Sequence, residues 1–544
     1  MKRILFILLI AVPFFANGQN QTIDPTVEVN RQFQGKIMEL AKGKLNTTLA
    51  DSLNIFNVDF NYSFFNRQYK DLYEFSPLPS ASTSNEKAHE YKFMAKGGIG
   101  VPLSPEAAIW YTPVKGEKDF LSISGEWDMF SKKQYKEQNY VAKGNYTHIF
   151  KWGEAALSAA FGGGSNKIGS EGGTFSHNFN QLSAAGKLKP FEARQTGRKF
   201  NWELGGSYKR TQDKSSASLS ENYGKFEGYF GPTFGRYSQL SVNISASGVD
   251  YDTAADFWYG LIDITPQYKF ERGDMTVNLG VTLSGKFISN KEAEVDKYHN
   301  FISPAVKLTF SLLKERLWLY GVLDGKNHLN AWSSILQENR YINPAYSPAN
   351  LFAGSTPLNA EMGLKGRATD KFTYNIYARY AVHKGMLQYA YFEEGGWYNT
   401  FNSNHNEFGA GAEFTAKMEN FIIGGEFCYT SFSKGKNSTF ADGLYACGKP
   451  KLSGKVEAMY NWKGGISAGV TCRGWGGYYA ALWSGQQVEK RRGNADIDIN
   501  VQYAVSPLLS LYLRGENILN SPSVNHPFTI GRGGCAIGGI IVKL

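Results

Sequence analysis

From Asn494 to Tyr503 the chain alternates without a slip. Ala495, Ile497, Ile499, Val501 and Tyr503 are apolar or aromatic, and Asp496, Asp498, Asn500 and Gln502 between them are polar. After Val505-Ser506-Pro507-Leu508 the pattern resumes, with Leu511 and Leu513 set against Ser510, Tyr512, Arg514 and Glu516. A period of two specifies strands with two different faces. A row of polar side chains cannot lie in a dry core without partners, so one face meets water and the other something apolar. That fits either one sheet of a sandwich or the wall of a membrane barrel.

The same two faces recur along the chain. Leu240, Val242, Ile244 and Ala246 alternate with Ser241, Asn243, Ser245 and Ser247. Met275, Val277, Leu279, Val281 and Leu283 alternate with Thr276, Asn278, Thr282 and Ser284. A single soluble sandwich of twenty-odd strands would be exceptional, and no repeat of fixed period points to a propeller. Beyond the first residues, no apolar run approaches a membrane-spanning helix. In lipid that leaves a closed barrel, because only helices and barrels satisfy their backbone groups there. The fold class expected is all-β, a transmembrane antiparallel β-barrel beginning at residue 90 and continuing to 544.

Connections alternate between short and long, as in barrels with tight turns on one side and extended loops on the other. Ten short turns run from Lys115–Lys118 to Val505–Leu508. The intervening loops include Ser131–Asn139, Gly162–Gly173, Ser289–Asn300, Gly325–Pro357, Met386–His405 and Trp475–Gly493. This pattern predicts about 22 strands, to within one hairpin.

The start of the chain differs. Met1-Lys2-Arg3, the apolar run Ile4–Phe15 and the small residues Ala16 and Gly18 form a signal-peptide pattern, with cleavage expected near Gly18. Residues 19–89 follow as a periplasmic or lumenal segment. They hold a polar, helical-looking stretch from Gln32 to Leu49 and a Pro/Ser/Thr/Asn-rich linker from Ser76 to Lys87.

Composition narrows the function classes. Aromatic residues make up 15% and glycine contributes 59 positions, with only four cysteines, which suits an outer-membrane barrel better than a disulfide-stapled domain. The net charge of +10 is dispersed, so no nucleic-acid partner is expected. Cys428, Cys447, Cys472 and Cys535 show no C-x-x-C spacing and no neighbouring His at ligand spacing. They read as small buried strand residues, with a Cys428–Cys447 bridge as the alternative. No G-x-S-x-G or H-E-x-x-H occurs, so an enzyme is not expected, and neither a cofactor nor a metal is called for.

Charged residues at inward strand positions are the candidate lumen lining: Arg379, Lys455, Glu457, Asp496, Asp498, Arg514 and Glu516. Their signs are mixed, which predicts hydrated wall pairs rather than a single-sign selectivity ring. Aromatic clusters in the long loops are the candidate outer binding surface: Trp332, Tyr346, Trp397, Tyr398, Trp475 and Trp483. Part of that aromatic content belongs to the interfacial girdle of any such barrel.

The chain's end also carries a family pattern. Asn517-Ile-Leu-Asn520, a polar loop with His526-Pro527, then Gly531-Arg532 and a short last strand resemble the terminal hairpin of TonB-dependent outer-membrane receptors. That family usually ends in an aromatic residue, where this chain has Leu544. The resemblance implies a transport-related pore or receptor in the outer membrane, in contact with its lipids. Residues 19–89 are too few for the family's plug domain and lack its signatures, so TonB is not an expected partner. Thr26-Val-Glu-Val29 reads as an ordinary extended tail more readily than as a TonB box. The alternative function is a non-transporting structural or interaction subunit, docking a surface lipoprotein or another outer-membrane protein.

Overall fold

The structure is a computed structural model. It describes residues 91–544 apart from positions 134, 171–172, 192–199, 216–217, 235–236, 253–256, 291–294, 315, 344–353, 437–444, 525 and 530–531. The signal-peptide pattern and residues 19–89 lie outside the described residues.

Neighbouring strands in the sequence pair antiparallel around the whole sheet, and the first strand, Phe93–Val101, pairs with the last, Cys535–Lys543. The closing register runs from Met94↔Lys543 to Val101↔Ala536. Two short strands, Tyr478–Leu482 and Gln487–Arg491, form a hairpin outside the wall, because Ile466–Trp475 pairs directly with Asn494–Ala504. The remainder is a closed antiparallel barrel of 22 strands. Each of the ten expected short turns falls between consecutive strands.

Several expected loops are strand instead. Asp119–Lys132 and Tyr135–Ile149 continue through most of Ser131–Asn139, and Gly153–Ser170 continues into Gly162–Gly173. Phe372–Phe392 and Trp397–Lys417, 21 residues each, take up nearly all of Met386–His405. Strand length explains the misreading. At about 3.3 Å per residue and a tilt near 40°, 21 residues rise roughly 50 Å, twice the apolar band of about 25 Å. Above the bilayer both faces meet water or protein, so the ladder continues while the apolar–polar alternation disappears. Beside the closing seam the strands have only 8 or 9 residues and reach little beyond the band.

Within the band the two faces are sharply different. Leu279, Val281, Leu283, Ile499, Leu511 and Leu513 are exposed on the outside. Gln502, Ser510 and Tyr512, on the opposite face of the same strands, are buried. At the short-turn end an aromatic collar begins with Phe150, Trp152 and Trp202, whose rings stack at 5.1 and 5.7 Å. All four cysteines are free thiols, so Cys428 and Cys447 are not bridged. Cys428 lies opposite Gly411 and Ser453 in the wall, whereas Cys447 sits in a loop segment bridged to Tyr479.

Face assignment is testable. Ile499→Arg places a charge against lipid and should destabilise the barrel by roughly 2–4 kcal/mol near the midplane. Asn500→Arg, on the inner face, should be far milder. Surface yield and heat-modifiable mobility compare the two, and equal losses would contradict the assignment.

Candidate functional site: the inward-folded mouth

A wall of 22 strands encloses more space than its own side chains can fill. At the long-loop end that space is occupied by the protein's loops, which rest on a polar row of the inner wall. Registers place the row: Asp128 lies opposite Asn139, Glu137 opposite Asn166, and Asn166 opposite His177. Farther round, Thr211 faces Glu221 and Glu221 faces Tyr251.

The central piece of the closure is a one-helix segment. Trp332–Glu338 turns Trp332, Ser333, Ile335 and Leu336 into the protein interior, and Trp332 is 0% exposed. Its N-cap position is Ala331, which has no side-chain acceptor for the first helical amides. The wall supplies one. Glu221 accepts hydrogen bonds from the backbone N–H of Trp332 and, at 3.1 Å, of Ser333. The Trp332 indole Nε1–H donates to Asp213 at 3.0 Å, and Asp213 also holds His177 Nε2 at 2.5 Å. Tyr251 donates its hydroxyl to the Asn330 carbonyl and accepts from Trp332 N, each at 3.2 Å.

Past the helix, Arg340 donates to Glu137 and to Asn139 Oδ1, both at 2.6 Å. Tyr135 donates to the other Glu137 oxygen at 2.6 Å and lies 3.2 Å from the Tyr341 hydroxyl. Ile342 forms a bridge with Tyr398. The segment therefore spans the mouth from the strand carrying Glu221 to the tall hairpin at Tyr398. That hairpin also reaches across, with Trp397 6.2 Å from Phe175 and Tyr389 donating to Glu338 at 2.8 Å.

Two more loops complete the cover. The hairpin Tyr478–Arg491 adds parallel pairs at Ala390↔Ala481 and Tyr391↔Leu482. Between the last two strands, Phe528 stacks on Tyr391 at 5.2 Å, lies under the Arg491 guanidinium at 4.1 Å and donates its N–H to the Tyr398 hydroxyl. His526 meets Tyr341 edge-on at 4.7 Å.

A ladder of alternating charge connects the seam to this cover. Lys96 pairs with Glu106 at 2.7 Å, and Glu106 also accepts from Tyr512 at 2.5 Å and Arg514 at 2.6 Å. Arg514 reaches Glu516 at 3.0 Å, Arg532 joins Glu516 at 3.3 Å to Asp128 at 3.5 Å, and Asn139 links Asp128 to Glu137. Arg340 closes the chain. Lys96, Arg514, Arg532 and Arg340 balance Glu106, Glu516, Asp128 and Glu137, so the ladder presents no net charge.

The residues singled out from the sequence fall in several places. Arg514 and Glu516 are in the seam ladder. Asp496 and Asp498 share Arg473, at 3.6 and 2.5 Å. Arg379 pairs with Glu407, which also holds His383 at 2.7 Å, and Lys455 pairs with Glu457 on its own strand. Trp332 and Tyr398 are buried in the cover rather than displayed, because both rings pack against other loops and the wall. Trp397, Trp475 and Trp483 are half-buried, and Tyr346 lies outside the described residues. The residues that organise the mouth, Glu221, Asp213, Glu137 and Arg340, escaped sequence reading. Their partners across the mouth are more than a hundred positions away, and their only local signal was a carboxylate near a strand end or an Arg in a long loop. Among the described residues, no group of three or more His, Cys, Asp or Glu is arranged to hold a metal ion.

No family model matches the sequence, and no curated protein does. Solved structures do match. The FrpB iron transporter from Neisseria meningitidis superposes with a TM-score of 0.65 at 9% identity, over 84% of this chain and 82% of that one. The ferric-catecholate import receptor Fiu from Escherichia coli K12 gives 0.64 at 9%, over 84% and 82%. The pyoverdine receptor FpvA from Pseudomonas aeruginosa PAO1 gives 0.64 at 11%, over 84% and 79%. The fold is that of the TonB-dependent outer-membrane receptors, and at such identities the likeness is one of fold.

The cover should respond to acid. Burial, joined by the positive field of Arg340, pushes the His526 ring down to about 4, against a backbone hydrogen bond and the field of Glu137, which both raise it. A released His526 would titrate near 6.5, so the displaced segment takes up a proton that the seated one excludes. Its stabilising contribution is complete above about pH 6.5 and is lost progressively as pH falls toward 4. Proteolysis between Asn517 and Gly534 should therefore accelerate on acidification from about pH 7 to 5, and His526→Phe should flatten that rise. An unchanged profile in the variant would assign the response to other groups.

Proposed function

We propose that this chain is an exported outer-membrane barrel with a transport-related role, a receptor-type pore whose outer mouth is closed by its own loops. The observation that carries this reading is the closed 22-strand wall, shared in fold with transporters and receptors for iron chelates and for copper. In this reading residues 1–18 are the removed signal peptide. Residues 19–89 are a periplasmic or lumenal segment. Arg379, Lys455, Glu457, Asp496, Asp498, Arg514 and Glu516 line the lumen. Because those charges are paired with opposite signs, a path past them would discriminate weakly between anions and cations.

A second reading is a docking subunit whose sealed barrel holds a surface lipoprotein or another outer-membrane protein. The built closure of the mouth favours it, since a barrel that never conducts can afford permanent contacts across its lumen. Planar-bilayer recording separates the two. For a pore, the full chain should conduct little, and deleting residues 19–89 alone should change this modestly because the loops still cover the outer mouth. Deleting 19–89 and replacing Asn330–Asn343 by a short Gly/Ser linker should give large, weakly selective openings. A doubly altered barrel that stays closed and purifies with a stoichiometric partner would favour docking.

A further inference from the structure

The segment Asn330–Asn343 is held by an unusual set of contacts for a permanent core. Its fixed points are polar: Glu221 on the first helical amides, Asp213 on the Trp332 indole, and Glu137 on Arg340. Buried carboxylates carry a large desolvation penalty, and a wall covered for good gains as much from apolar residues of similar volume. A wall face that is sometimes wet has a different requirement, because its side chains must also be stable in water. Glu137, Asp213 and Glu221 meet that requirement.

The interface is also incompletely satisfied. Asn166 is buried directly between Glu137 and His177, yet neither its Oδ1 nor its Nδ2 has a hydrogen-bond partner within the protein. The same holds for Thr211 Oγ1, opposite Glu221. Native cores leave few such groups unpaired. Others lie elsewhere in the barrel, but Asn166 and Thr211 lie where the loop meets the wall, and both are hydrated if the loop lifts. The unpaired groups favour release, and the three carboxylate contacts oppose it.

We propose that Asn330–Asn343 is a releasable latch, held shut by Glu137, Asp213 and Glu221, whose departure uncovers the polar row of the inner wall. The proposal deepens the pore reading by naming what gates it. The latch can be weakened from the loop side without altering the wall. Trp332→Phe keeps the ring and removes the bond to Asp213, and Arg340→Ala removes the bond to Glu137.

Accessibility tests this directly. In a Cys472→Ser background of the full chain, Ser333→Cys is exposed to a membrane-impermeant polyethylene-glycol maleimide on intact cells. With the latch intact, labelling should be slow. Adding Trp332→Phe and Arg340→Ala should speed it on the order of tenfold per lost charge-assisted hydrogen bond. Heat-modifiable mobility checks that each barrel is assembled. Should that pair misassemble, Asp213→Asn with Glu137→Gln weakens the same contacts from the wall. Fast labelling of the intact latch, or equally slow labelling in assembled weakened variants, would overturn the proposal. Conductance of the same variants reads the pore separately. With residues 19–89 also deleted, faster labelling without conductance supports the latch and removes the pore, whereas conductance that rises with unchanged labelling removes the latch and keeps the pore.

Discussion

Backbone pairing across the seam is the constraint on which the rest of the molecule depends. In lipid every N–H and C=O must find a partner within the protein, and an open sheet edge has none to offer. Pairing of Phe93–Val101 with Cys535–Lys543 removes both edges at once. The seam is also where the shortest strands meet, so each ladder bond there secures a larger share of the closure. Its inner face carries Lys96, Glu106, Tyr512 and Arg514, whose side chains tie the first two strands to the last but one, across the final strand. On the same inner face, Gly98 and Gly539 contribute differently. A Cβ on either would meet the Tyr512 hydroxyl at 2.0 or 2.5 Å, so the absence of a side chain lets that ring lie across the seam to reach Glu106.

Closing the wall creates the second problem, a wide interior. The solution differs between the two sides of the barrel. On the tall side, strands of 15 to 21 residues carry their inner faces well beyond the bilayer, and the loop segment docks on those extensions. On the low side there is no such wall, and the hairpin Tyr478–Arg491 and the loop holding Phe528 fold over the gap instead. The closure is therefore assembled from both directions and meets at Tyr398, whose backbone bridges Ile342 and whose hydroxyl accepts from Phe528.

How much of this was legible in the sequence follows from which physical signals are local. The rows Asp496–Gln502 and Ser510–Glu516 alternate because lipid lies on one side and water on the other, and that contrast is written into every second residue. Tight turns carry their own residue chemistry, so strand ends at the short-turn side were readable too. Above the bilayer the contrast vanishes, and Met386–His405 reads as loop although it is almost entirely hairpin. The mouth was less legible still. Trp332 and Tyr398 stood out as aromatic, but whether an aromatic in a long loop is displayed or buried depends on a partner elsewhere. For Trp332 those partners are Glu221 and Asp213, 111 and 119 positions away, and for Arg340 it is Glu137, 203 positions away.

The same distance in sequence gives the mouth its physical character. A helix of seven residues is too short to be stable by itself. It has no cap of its own, so its first turn exists only while Glu221 satisfies those amides from the wall. Loss of that contact both undocks the segment and removes the reason for it to be helical, so undocking and unwinding are coupled. Release then gains backbone entropy as well as hydration of Asn166, Thr211 and the carboxylates. The wall loses little by comparison, since its ladders run unbroken beneath the row and none of them passes through the loop. The stability of the barrel and the position of its mouth are in this way carried by different bonds, and the second can change without endangering the first.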